Sequence, residues 1–345
     1  MQGTANDDTI NGLVSSTAED TTFQPADVVA GGGGSDTFDL RMIGEQGNSV
    51  SSAGRSVENV ETLRVETVFA GGADASHAAD VNTGDFIDLE NIEVDRLRSD
   101  DGNNPTDTVR DVLNLTALEA DQTLTFTADN GGNHLVRLAG SPNSEVTFED
   151  ASFGYLQMDT GGAGETVTVN SNGDSNAVSL ELGDTDTSVN TAKDPNELTD
   201  APGTAGNAGN TTTLEIKGEG DFTGAVDNLS NASSATINVN GGDASGDLSL
   251  RLRTDDRFSL TGGSGDDRVN HLIGDNDISS DFTSDAVETH VVTVVTNDHS
   301  FDLDNVTGAT TVGLRENSGE ELTFTNARGG VNVLLEGDGV EDGDG

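Results

Sequence analysis

Short runs in which apolar and polar residues alternate recur along almost the whole chain. A period of two is typical of β-strands that bury one face, because successive side chains point to opposite sides. Clusters of Gly, Asn, Asp and Ser separate the runs and favour turns. The pattern therefore predicts an all-β fold. The clearest runs are 63–68, 123–127, 166–169, 178–182, 235–239 and 248–252.

One segment departs from this alternation. Between Asp111 and Asp121 apolar residues recur close to helical spacing, namely Val112, Leu113, Leu115 and Leu118. We expect one or two short helical turns here, in a chain that is otherwise all strand.

The chain of 345 residues is long enough for two or three domains or for one elongated solenoid, and its aromatic content of 4% fits the narrow core of a solenoid. An apolar–acid–Asn–apolar sequence recurs at 57–61, 89–93 and 303–307, with irregular spacing. Each Asn suits a turn, and the apolar residues suit adjacent rungs of unequal length. The alternative is that turns recur here only because the composition is biased.

The expected architecture is an elongated parallel β-solenoid or β-roll. Pro195, Pro202 and several glycines mark 194–210 as an exposed loop or domain boundary. The tail from Glu336 to Gly345 is almost only acid and glycine, and we expect it to fray. The predicted regions are an N-terminal β region at 1–110, a middle β region at 111–193, a linker at 194–212 and a C-terminal β region at 213–345.

The charge is strongly negative, with 63 Asp and Glu against 15 Lys and Arg and a formal net charge of −48. Such a chain repels itself unless cations neutralise it, so divalent ions or high salt are expected to belong to the folded state. A solvated acidic surface adapted to a saline habitat is the alternative, and the two can coexist. High charge with few large apolar residues is also typical of disorder, but the many alternating runs argue against that.

Two stretches, Gly31–Asp39 and Gly262–Asn270, match the nonapeptide G-G-x-G-x-D-x-U-x, in which U is apolar. The glycines allow a tight turn that directs backbone carbonyls inward, and the Asp adds a carboxylate. Hard oxygen ligands of this kind suit Ca²⁺. A glycine-rich hairpin loop is the alternative. The predicted ligands are the carboxylates of Asp36 and Asp267 and the carbonyls of Gly31, Gly33, Gly262 and Ser264.

Weaker copies extend the motif. The segment Gly3–Asn11 carries Asp8 at the acidic place, and 22–30 carries Asp27 there, so both acids are further candidate ligands. A long tandem array of nonapeptides is absent. We therefore expect a few isolated calcium ions and not a continuous ladder.

The chain resembles the RTX-type calcium-binding proteins exported by type I secretion, and among them the surface-layer and adhesin-like members. The resemblance rests on Gly3–Gly12, on 26–30 leading into the Gly31 match, on 57–65, and less completely on 254–313. It implies a secreted, calcium-stabilised β-solenoid or β-roll that builds an exterior layer or fibre. It also implies an uncleaved C-terminal export signal.

The location is expected to be extracellular or at the cell surface. The first residues lack the basic and apolar segments of a cleavable secretory signal, which would ordinarily favour the cytoplasm. RTX-type export does not need such a signal, and extracellular calcium would fill a weak site. No segment is long and apolar enough for a membrane span.

Enzyme chemistry has little support. The histidines are scattered without metal-ligand spacing, and neither a G-x-S-x-G elbow nor an H-E-x-x-H helix occurs. The negative net charge would repel the phosphates of a nucleic acid, so nucleic-acid binding is not expected. The five histidines are His77, His134, His271, His290 and His299.

The sequence therefore predicts a structural, self-assembling, calcium-binding protein and not an enzyme. Its expected partner is itself, as a homopolymer, with cell-surface polysaccharide as a second candidate. Two alternatives stay open. One is an adhesin or glycan-binding module, and the other is a secreted polysaccharide-active enzyme, which 63 acidic residues do not exclude.

Overall fold

The computed structural model describes residues 1–45, 48–70, 77–99, 111–119, 121–127, 134–139, 145–158, 165–182, 211–227, 236–254, 257–273, 277–294, 298–317 and 321–336. The chain divides into two compact units. Unit 1 comprises residues 1–161 and 177–196, and unit 2 comprises 162–176 and 197–345.

Unit 1 is built from short strands joined by turns. Its strands are β1 (Thr9–Ser15), β2 (Val28–Ala30), β3 (Thr37–Glu45), β4 (Val50–Ser51), β5 (Ser56–Glu58), β6 (Thr62–Ala70), β7 (Ala78–Asn82), β8 (Phe86–Ile87), β9 (Asn91–Ser99), β10 (Val112–Thr116), β11 (Thr123–Phe126), β12 (Leu135–Ala139), β13 (Glu145–Glu149), β14 (Ser152–Met158) and most of β16 (Ser175–Leu182). Two 3₁₀ turns, Ala18–Asp20 and Thr83–Asp85, are the helical elements of its described part.

Unit 2 has the same construction. Its strands are β15 (Glu165–Asn172), β17 (Thr211–Gly218), β18 (Asp221–Asp227), β19 (Ile237–Ala244), β20 (Leu248–Arg253), β21 (Phe258–Thr261), β22 (Arg268–Ile273), β23 (Thr283–Asp285), β24 (Thr289–Val294), β25 (His299–Asp302), β26 (Thr311–Asn317), β27 (Leu322–Thr325) and β28 (Asn332–Glu336).

The strands pair in parallel, and each unit is a β-solenoid. In unit 1 the sheet orders are β1-β3-β6-β9-β11-β13, β4-β7-β10-β12-β14-β16 and β2-β5-β8. In unit 2 they are β15-β17-β19-β21-β23, β18-β20-β22-β24-β26-β28 and β25-β27. The predicted all-β, parallel-solenoid class is therefore confirmed.

The register explains why the rungs stack. Thr9, Thr37, Thr62 and Asn91 are successive partners in one sheet, and the residue after each of them is buried. Alternation along one strand thus becomes a column of apolar side chains across rungs. The rungs have unequal lengths. Each nonapeptide therefore forms only one corner of a rung and does not define the length of the repeating unit.

Each of the six alternating runs contributes most of its residues to a strand, namely β6, β11, β15, β16, β19 and β20, although residue 235 lies outside the described residues. The helical interpretation of Asp111–Asp121 is wrong, because Val112–Thr116 forms β10. Val112 packs on one face of the sheet with Leu135 and Tyr155, while Leu113 is buried on the other. A strand buried on both faces has adjacent apolar residues, and these imitated helical spacing.

The prediction that the Asn of each repeat lies in a turn is correct for Asn59 and Asn305 and wrong for Asn91. Asn59 occupies a turn with a φ of 53°, but Asn91 begins β9, and Asp88 takes the turn position with a φ of 71°. The predicted loop at 194–210 and the tail after Glu336 lie outside the described residues, and β17 begins at Thr211. The other predicted region boundaries stay predictions.

Candidate metal centre

The two nonapeptide matches and the weak N-terminal copy form closely similar corners, each directly before a strand. The first glycine of each copy donates its N–H to a carbonyl of the next rung, at 2.7–2.9 Å. A Cβ atom built on any of the three would lie 1.8 Å from a carbonyl oxygen of that rung. Glycine is therefore required at this place by close packing of backbones. The three glycines are Gly3, Gly31 and Gly262.

The acidic place of the motif holds the turn together. Oδ2 of Asp8 accepts the backbone N–H of Thr4 at 2.5 Å, and Oδ2 of Asp267 accepts that of Gly263 at 2.5 Å. Both donors stand at the second place of the nonapeptide. The carboxylate therefore caps its own turn in both units, which gives the Asp a structural use besides any metal.

The same carboxylates also join neighbouring rungs. Oδ1 of Asp36 accepts the N–H of Asp8 at 2.8 Å, and Oδ1 of Asp267 accepts the N–H of Leu248 at 3.0 Å. The structure thus brings Asp8 and Asp36 together. Asp27 lies elsewhere, at the start of β2, where its Oδ2 accepts the N–H of Gln24 at 2.7 Å.

Two further acids belong to these corners and were missed by sequence reasoning. The N–H of Asp36 donates to Glu61 at 2.6 Å, and the N–H of Asp267 donates to Glu288 at 2.9 Å. Both glutamates directly precede a threonine that begins a strand. An acid before a strand-initiating Thr is a signal that could have found them.

The electrostatics of Asp267 favour a cation. Its pKa is raised, first by burial and also by the nearby charges of Glu288 and Asp247, although two backbone N–H donors oppose the shift. At the exposed Asp8, the N–H of Thr4 lowers the pKa. A bound cation would relieve the cost of ionising Asp267.

Asp36 has a buried carboxylate oxygen that accepts no hydrogen bond from the described residues. Its side chain is 1% exposed, and the oxygen in question is Oδ2. This oxygen lies against Gly31, where a Cβ atom would be only 2.4 Å from it. A buried carboxylate oxygen without a donor is costly unless something positive approaches it.

The donor set fits calcium only if the backbone takes part. Within the described residues, no group of three or more His, Asp or Glu side chains is arranged to hold a metal ion. One or two carboxylate oxygens would have to be completed by carbonyls of the glycine turns, which Ca²⁺ accepts as ligands. The N–H groups of Gly33 and Ser264 anchor these turns to Thr4 and Ala244 at 3.0 and 3.1 Å.

Two histidines come together in unit 2, although the sequence scatters them. Nε2 of His271 lies 2.8 Å from Nδ1 of His290, and the rings are nearly parallel at 10°. Nδ1 of His271 contacts the hydroxyl of Thr254 at 3.0 Å. Burial lowers both pKa values, that of His290 to about 4. The two rings are within hydrogen-bond distance of each other, and both side chains are 0% exposed.

A third histidine, in unit 1, has an acidic partner. Nδ1 of His77 lies 2.8 Å from Oδ1 of Asp111, and both side chains are buried beside the stacked ring of Phe69. This pair joins two neighbouring rungs, because the N–H of Val112 donates to the carbonyl of His77.

Comparison with known proteins adds no relative. No family model, no curated protein and no solved structure matches the chain. No helix within the described ranges is long and apolar enough to cross a membrane.

Proposed function

We propose that the chain is a structural, calcium-binding and self-associating protein of the bacterial cell exterior, either a surface-layer subunit or the protomer of an extracellular filament. The observation that carries this proposal is the recurrence of one glycine–aspartate corner in both units, with the unpartnered, buried Oδ2 of Asp36 in the first. The RTX-type resemblance of the same segments supports it.

In this proposal calcium stabilises the corners. Asp36 and Asp267 would hold the ion through carboxylate oxygens, and Gly31, Gly33, Gly262 and Ser264 through carbonyls. The ion would supply positive charge where acids of successive rungs approach one another, in a chain with a net charge of −48. The exterior location follows from the weak affinity of such an incomplete ligand set, which millimolar extracellular calcium would fill.

A solenoid suits this role physically. In a solenoid each rung contacts only its neighbours, so a terminal rung exposes groups that inner rungs bury. Terminal rungs have unpaired strand edges that can accept a strand from another molecule. Self-association through such edges is the expected route to a layer or a filament.

The test of the calcium sites compares the Asp36→Asn variant with a Glu19→Gln control, which removes one exposed acid of the same unit. Thermal unfolding is followed by circular dichroism in calcium and in chelator. Binding at about a hundredfold excess over Kd would stabilise the wild type by about 2.7 kcal/mol. We expect Asp36→Asn to lose part of this calcium increment and Glu19→Gln to keep it. An increment that is the same in all three proteins would exclude Asp36 as a ligand.

Assembly is tested separately by negative-stain electron microscopy of the purified chain. Ordered sheets or fibres in calcium that disappear with chelator would support the structural role, and their shape would distinguish a layer from a filament. Folded monomers in both conditions would contradict self-association and favour an adhesin module.

A further inference from the structure

The last described rung of unit 2 leaves the ends of two core columns open. In successive rungs, the inward positions are aligned by the strand register and are buried up to β24. In β28 the corresponding side chains, Val333 and Leu335, are 73% and 60% exposed. The two columns are Leu250, Val269, His290, Val312 and Val333, and Leu252, His271, Val292, Leu314 and Leu335.

The neighbouring strand of the rung is open in the same way. Phe324 of β27 is the register partner of the buried Phe301, with ring centroids 6.1 Å apart, yet it is only half-buried. Within the described ranges, β28 pairs with β26 alone, so none of the described strands pairs with the N–H and C=O groups of its outer edge. An apolar surface bordered by a free edge is a site for strand addition.

A segment that covers this open rung needs two properties, namely a free strand edge and apolar residues at alternate positions. The nine residues that follow Glu336 in the sequence contain one apolar residue, Val340, among glycines and acids. They lack the required alternation. The first rung of unit 1 is also unsuitable, because its inward residues Ile10 and Val14 are already buried and Thr9 and Asn11 on its other face are polar and exposed.

The open rung of a second copy has both properties. We infer that β28 pairs with β28 of a second copy of this chain in an antiparallel, twofold-symmetric arrangement. Each molecule then covers the exposed core end of the other and satisfies its strand edge, as an isologous interface requires. The inference rests on the self-association proposed above and specifies its first contact.

The side chains of β28 favour one register, centred on Leu334. Val333 then lies opposite Leu335 of the partner subunit, and Asn332 lies opposite Glu336 of the partner subunit. This places an amide donor beside a carboxylate acceptor and avoids direct opposition of two acids. Glu336 is moreover paired in its own subunit with Arg268, at 3.0 and 2.5 Å, and this pairing lowers its pKa.

A contact of five residues from each copy is small, so the dimer is expected to be weak and dependent on concentration. Sedimentation velocity from about 10 µM to about 1 mM covers the relevant range of Kd. The variant is Val333→Lys, which places a charge on an already exposed position and should not disturb the fold. The control is Val28→Lys, which makes the same change at another exposed valine, in unit 1.

We expect the wild type and Val28→Lys to form dimers, and we expect Val333→Lys to weaken association at least about tenfold. Association that is unaffected by Val333→Lys would overturn the inference while leaving the proposed function standing. A wild type that stays monomeric throughout this range, with and without calcium, would overturn both.

Crosslinking tests the register. The chain has no cysteine, and residues directly opposite in antiparallel strands have Cα atoms about 4.5–5.5 Å apart, within disulfide range. Leu334→Cys should therefore form a disulfide-linked dimer under mild oxidation, faster than Val333→Cys and Val28→Cys. Equal rates for the three variants would refute the twofold register.

Discussion

Acidification is expected to destabilise unit 2 through its buried histidine pair. His271 and His290 are 0% exposed, and their contacts are the hydroxyls of Thr254 and Ser284 and the rings of Phe282 and Phe301. None of these groups carries a charge that would offset an imidazolium. A backbone hydrogen bond to Val287 opposes the lowering of the His290 pKa, but burial outweighs it. A proton that enters the pair would therefore leave a charge in an apolar core.

The direction of the pH effect on stability follows from the histidine pKa values in the unfolded and the folded protein. An unfolded histidine has a pKa of about 6.5, whereas burial lowers the pKa of His290 in the folded protein to about 4. As the pH falls, the unfolded state binds the proton first. The stability is thus fully retained above pH 6.5 and is lost progressively between about pH 6.5 and pH 4.

The size of the stability loss can be calculated from this lowering of the His290 pKa. A difference of about two and a half pKa units costs about 3 kcal/mol when complete, and about 2 kcal/mol of it is reached at pH 5. The pKa of His271 is lowered well below its ordinary value, first by burial and then by His290, so it acts in the same direction. A loss of this size is a large fraction of the stability of a domain.

The assay is urea unfolding at pH 7 and pH 5, followed by circular dichroism because the chain has no Trp and only one Tyr. The wild type is compared with the double variant His271→Leu and His290→Leu, which keeps the volume and removes both titrating groups. Acid also neutralises surface carboxylates, and the double variant reports that background. The control is His299→Leu, in the same unit.

We expect the wild type and His299→Leu to lose about 2 kcal/mol more than the double variant between pH 7 and pH 5. Equal pH dependence in the wild type and the double variant would refute the reasoning. It would mean that the pair is solvated or protonated in the folded protein.

Two predictions concern packing. Gly31→Ala should destabilise unit 1 by about 3 kcal/mol or more, since its Cβ would lie 1.8 Å from the carbonyl oxygen of Asn59, whereas Gly329→Ala, with nothing within 4 Å, should cost little in thermal unfolding. Phe301→Ala should cost about 3–5 kcal/mol because Phe301 is fully buried, and the half-buried Phe324→Ala should cost clearly less in urea unfolding at pH 7. A similar loss at both positions would show that the last rung is covered in solution.

Local features of the chain were sufficient to predict the strands. Alternation over four to six residues is a property of the strand itself, so runs such as 63–68 and 248–252 could be assigned without knowing their neighbours. The glycine–aspartate corners were equally local. Gly262 and Asp267 are five positions apart, and the carboxylate of Asp267 accepts a backbone N–H from within its own turn.

The sequence could not predict contacts that depend on which rungs are adjacent. The pairing of His271 with His290 and of Asp36 with Glu61 arises only when the register of β22 with β24, and of the corner before β3 with the one before β6, is fixed. Rungs of unequal length hide that register. The same limit explains the error at Val112, which packs with Leu135 and Tyr155, residues that only the register of β10, β12 and β14 brings beside it.

The sequence by itself thus determined an acidic all-β chain with glycine–aspartate turns, because periodicity and turn chemistry act over a few residues. Only the tertiary structure decided which carboxylates meet, which histidines contact each other and which rung exposes Val333 and Leu335. These features depend on contacts between residues about twenty or more positions apart, and stacking of whole rungs, not local preference, fixes them.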